Sequence, residues 1–109
     1  MDVKKWFEDG TGLEIKELRY LAPPSIPYNI FIDLKTYGGA DKNNNIIQHE
    51  ISIEHYSNTI NTTAEQTIDE FLNLQNIKFD KDRDWLDNDK LFITVYELEP
   101  IFEKVRKEK

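Results

Sequence analysis

Read for the spacing of apolar and polar positions, the chain begins with a short helix over Asp2–Glu8. Asp2 is a good N-cap, Val3, Trp6 and Phe7 fall on one face, and Gly10 or Gly12 can end the turn. Leu13–Leu18 suits a short strand, after which Pro23, Pro24 and Pro27 enforce an extended passage. Two alternating segments follow. In Tyr28–Tyr37, Ile30, Ile32 and Leu34 share one face while Asn29, Asp33 and Lys35 point away. In Ile46–Tyr56, Ile47, Ile51 and Ile53 oppose Gln48, Glu50, Ser52 and Glu54. A period of two predicts half-buried antiparallel strands. Gly38–Asn45 between them is rich in turn formers and too long for a tight turn, so a long β-hairpin with a projecting tip is expected.

A second helix is predicted from Thr62 or Thr63, each three residues before Glu65 or Gln66 as in a capping box. Its apolar stripe is Ala64, Ile68, Phe71 and Leu72, and Asn76 is its stop. Ile77–Phe79 opens a short strand, and Leu91–Leu98 is a stronger one. The stronger strand is apolar on both faces, with Leu91, Ile93 and Val95 on one and Phe92, Tyr96 and Leu98 on the other. Two covers are therefore needed, one of which a neighbouring subunit could supply. The order predicts a single α+β domain over residues 1–109: a mostly antiparallel sheet from a long β-hairpin and a C-terminal strand pair, with two helices packed on it. The last residues, about 103–109, read as a charged, frayed tail.

Composition adds exclusions. The chain's 109 residues suit one modest core, and six Phe, five Tyr and two Trp argue against a disordered chain. With no cysteine there are no disulfides, thiolate nucleophiles or Cys-based metal sites. The first ten residues are too polar for a signal peptide, and no segment has the roughly 20 apolar residues of a membrane-spanning helix. A net charge of −7 opposes binding to nucleic acid and to anionic membranes.

No constellation announces chemistry. His49 and His55 lie on one strand face, about 20 Å apart at strand spacing, and neither shows a partner set. Asp80-Lys-Asp82-Arg-Asp84 opens like a calcium loop but has Trp85 and Leu91 where that loop needs Gly and Glu, which leaves a solvated acidic loop. Gly38-Gly39 lacks the phosphate-loop spacing. Neither an enzymatic role nor a cofactor or metal is expected.

Several segments in order do resemble a known family: Thr11-Gly12-Leu13, Ile26-Pro27-Tyr28-Asn29-Ile30-Phe31-Ile32, Gly39-Ala40-Asp41, His49–Tyr56, the acidic helix Glu65–Leu74 and Asp89–Leu98. Together they look like the small tail-terminator or tail-completion (head–tail joining) proteins of long-tailed bacteriophages and of phage-tail-like particles of Gram-positive bacteria. The resemblance implies a virion structural protein, assembled in the host cytoplasm, that forms a six-fold ring (a hexamer). Such a ring ends the tail tube at its head-proximal end and meets both the tail tube protein and the head–tail connector. It implies that DNA passes without specific binding and that no membrane is involved. On this reading the contact residues are Tyr37, Gly38, Gly39, Asp41, Lys42, Asn43, Asn44 and Asn45 of the tip, with Phe92 and Tyr96 of the last strand. The alternative is a small acidic immunity- or inhibitor-like protein that masks a basic partner through its acidic helix and Asp80–Asp89.

Overall fold

The computed structural model describes residues 1–22, 24–38 and 44–106. Two helices and six strands follow in the order α1 (Val3–Thr11), β1 (Lys16–Glu17), β2 (Tyr28–Gly38), β3 (Asn44–Ser57), α2 (Thr62–Leu74), β4 (Phe79–Leu86), β5 (Leu91–Leu98) and β6 (Ile101–Arg106). The strands form one sheet in the order β1-β2-β3-β5-β4, with β6 also paired to β3. Every pair is antiparallel except β1 with β2. The class is therefore α+β, with three C-terminal strands where the pattern predicts two.

Helix α1 starts as its sequence dictates, with the Asp2 carboxylate accepting from the Lys5 amide at 3.1 Å. It ends at Gly12, whose φ of +73° is the left-handed cap and whose amide bonds the Glu8 carbonyl at 2.9 Å. Gly10 is no stop: it lets α1 approach α2 closely, because a Cβ there would run into the Phe71 ring. Helix α2 is capped by Asn61, which accepts from the Ala64 amide at 3.3 Å, rather than by Thr62 or Thr63. Glu65 takes no part in a capping box because its carboxylate is turned to the sheet.

Both helices lie on one face of the sheet. The core joins Val3 and Phe7 of α1 and Ile68, Phe71 and Leu72 of α2 to Phe31, Ile51, Ile53, Tyr96 and Leu98. Phe31, not Ile30, Ile32 or Leu34, is the β2 residue in this cluster. Those three do share a face, but it is the one turned away from the helices.

The register explains the shape. Ser52–Ser57 of β3 pair with β5, and Asn44–His49 of the same strand pair with β6. Strands β5 and β6 thus run along β3 end to end, interrupted at Glu99-Pro100, where proline offers no amide. Glu99 bonds sideways to Lys78 at the root of β4 instead. Residues 103–106 are accordingly part of a strand and not a frayed tail. The Asp80–Asp89 stretch is likewise mostly strand β4, paired to β5 from Phe79↔Leu98 to Leu86↔Leu91, and not a loop.

Candidate assembly surface

Beyond the helices, β2, β3 and β6 continue as a three-stranded arm at one end of a molecule 51 Å long. The β2–β3 pairing runs unbroken from Tyr28↔Tyr56 to Gly38↔Ile46. Four large apolar side chains stand exposed on this arm: Leu34 (62%), Ile46 (41%) and Phe102 (65%) on the side away from the helices, and Tyr37 (70%) on the other. Four exposed large apolar side chains on three paired strands make the arm a candidate for a covered surface, although Leu18, Leu21, Ile60, Leu74 and Trp85 are exposed elsewhere.

The residues expected to make contacts divide into three groups. Tyr37 and Gly38 end β2 on the arm, and Asn44 and Asn45 begin β3 opposite Arg106 and Val105. Gly39, Asp41, Lys42 and Asn43 lie outside the described residues. Phe92 is half-buried against Trp85, with ring centres 4.7 Å apart. Tyr96 is corrected: it is wholly buried in the chain's own core, where its hydroxyl donates to the Glu65 carbonyl at 3.2 Å. It has no surface left for a neighbour. The face of β5 that a neighbour could reach is that of Leu91, Ile93 and Val95, which is half-buried.

Both histidines do have partners, contrary to the sequence reading. His49, at the root of the arm, is 1% exposed and has a carboxylate oxygen at each ring nitrogen. Asp33 lies 2.8 Å from Nδ1 and Glu103 lies 2.8 Å from Nε2. Glu103 also accepts from the amino group of Met1 at 2.5 Å, and that ammonium, followed by His49, holds its carboxyl below the ordinary range. One imidazole thereby joins β2, β3 and β6. The pairings Lys35↔His49 and His49↔Ile101 foreshadow this in the register, but no local sequence pattern does.

His55 is held differently. The Asn29 amide donates to the Glu14 carbonyl at 3.0 Å, so its oxygen is the atom that accepts from His55 Nδ1–H at 2.7 Å. Burial pushes the imidazole pKa down, partly offset by Glu65, so the ring is neutral. Its Nε2 has no partner among the described residues. The ring lines a cleft of about 420 Å³ with Asn29, Tyr20, Tyr28, Asn61 and Thr67.

A third polar cluster ties α2 to the sheet. Glu65 accepts from Thr94 at 3.1 Å and from Arg83 Nε at 3.2 Å, and Lys81 lies 3.0 Å away. Burial alone would raise its carboxyl, but bonds from Arg83 and Lys81 hold it below the ordinary range. The basic residues of β4 are thus used inward, and Asp80, Asp82 and Asp84 occupy the alternate positions facing the uncovered side. Among the described residues no group of three or more His, Asp or Glu is arranged to hold a metal.

The chain matches no family model, and no curated protein matches it in sequence.

Proposed function

We propose that this chain is a non-enzymatic virion structural protein: a ring-forming subunit that ends a phage or phage-like tail at its head-proximal end and joins it to the connector. The observation that carries this reading is the arm. Its exposed Leu34, Tyr37, Ile46 and Phe102 add nothing to the chain's own core and gain stability only when covered. Its polar interior fits a scaffold as well, since His49 and Glu65 are spent on joining elements together. The partners in this reading are copies of the chain, the tail tube protein and the connector. The negative charge lets DNA pass without adhering. The test is electron microscopy of particles assembled without this protein. Filled heads beside unjoined tails, or tails of uncontrolled length, are expected; normal joined virions would overturn the proposal.

One observation favours the acidic-inhibitor reading: the row of Asp80, Asp82 and Asp84 on the uncovered side of β4. A stable one-to-one complex with a basic protein, lost on replacing all three by Asn, would support it against the ring.

A further inference from the structure

The backbone phase of β2 can be read from one bond. Leu18 N–H donates to the Phe31 carbonyl at 2.8 Å, so Phe31 presents its peptide groups outward, toward β1. Alternation along a strand then turns the N–H and C=O of Asp33, Lys35 and Tyr37 the same way. Strand β1 covers only Ile30 and Phe31, and beyond it no strand among the described residues pairs with this edge. On the far side of the arm, β6 is paired only to β3 among the described residues. The arm therefore has two open edges.

We infer that the β2 edge at Asp33, Lys35 and Tyr37 pairs with β6 of a second copy, so that successive copies join their sheets head to tail through their arms. The contact deepens the ring reading and rests on it for the partner being a second copy. Strands β2 and β6 are both antiparallel to β3 and so run the same way, which makes the new pair parallel and keeps like faces of the two sheets together. The register that sets Lys35 beside Glu103 on the helix side also sets Leu34 beside Phe102 on the uncovered side, and it is the one we assign to the contact. An opposite-charge pair and an apolar pair are the cross-strand combinations that stabilise a sheet. The remaining edge differs in degree. Strand β4 carries five charged residues in succession, Asp80 to Asp84, the usual guard against edge pairing, whereas the charges of the arm edges are interspersed with exposed Leu34, Tyr37 and Phe102. Two different edges meeting make a heterologous contact, the kind that closes into rings.

The test uses two designs. Lys35→Pro removes an outward amide and no rung of the β2–β3 ladder, so the folded chain is retained while edge pairing is lost. Light scattering on the eluting protein should show self-association weakened by at least about tenfold. Should this variant not fold, Tyr37→Pro, nearer the strand end, asks the same question. The second design exploits the absence of cysteine. Within one chain Leu34 and Phe102 are separated by β3, about 10 Å, too far for a disulfide. Leu34→Cys combined with Phe102→Cys should yield a ladder of covalent multimers on mild oxidation, and neither single variant should cross-link. Dimers from Leu34→Cys alone would mean that two β2 edges meet, and would overturn the head-to-tail contact. So would a proline variant that associates like the wild type, or a wild type that is monomeric at every concentration. Particle morphology judges the ring reading separately: unjoined tails without the protein, together with intact assembly of Lys35→Pro, would keep the ring and discard the edge.

Discussion

Removing the His49 side chain tests whether the arm is held by the buried carboxylate–imidazole–carboxylate arrangement. In His49→Ala, Asp33, whose side chain is 2% exposed beside the imidazole, loses its close partner. Leaving a buried hydrogen-bonding group without its partner typically costs about 1–3 kcal/mol. Here Lys35 Nζ lies 3.9 Å from Asp33 and can compensate in part, while Glu103, 26% exposed, can turn to water. The expected loss is therefore about 1–3 kcal/mol, or very roughly 4–12 °C in Tm for a chain of this size. Urea unfolding at neutral pH measures it, and an unchanged m-value would show that the folded state is still compact. Asp33→Asn in the same background removes the stranded charge, so the double variant should recover about 1–2 kcal/mol relative to the sum of the singles. Amide exchange in β6 should rise first, because His49 is the side chain through which β6 reaches β2. A loss under about 0.5 kcal/mol, or strict additivity of the two changes, would refute the claim that this cluster holds the arm together.

Other contacts give further expected outcomes. Because His55 is buried neutral, its folded pKa lies below the unfolded value; the unfolded chain binds the extra proton, and stability falls as pH drops below about 6.5, by up to about 1.4 kcal/mol per pH unit. The slope of the urea midpoint between pH 6.5 and 5 should flatten in His55→Gln, and an equal slope in both proteins would contradict the assignment. Tyr96→Ala should cost about 3–5 kcal/mol in monomer stability, while Phe102→Ala should leave the thermal melt nearly unchanged and weaken self-association. A Tyr96→Ala chain that melts normally but does not assemble would return Tyr96 to the interface.

Where each element gets its stability decides how much of it could be seen beforehand. Helix α1, with its Asp2 cap and its Val3, Trp6 and Phe7 stripe, is a local object and is legible residue by residue, as is the alternation of β3. Strand β4 is not, because Asp-Lys-Asp-Arg-Asp carries no apolar period. Its inward side is satisfied by Glu65 of α2, a contact no window along the chain contains. Strand β6 is hidden for the same reason, since its charged sequence is ordered by pairing with a strand more than fifty residues earlier. The face of β2 shows most clearly how a sound rule reaches the wrong answer. Ile30, Ile32 and Leu34 form the more apolar row, yet Asn29, Phe31 and Asp33 face the helices, where Asn29 and Asp33 bond His55 Nδ1 and His49 Nδ1 across the ladder. Polar groups that pair off in this way can be buried at reduced cost, and of the aliphatic row Ile30 is buried, Ile32 half-buried and Leu34 exposed on the other face. That inversion is what leaves Leu34 standing out beside an open strand edge.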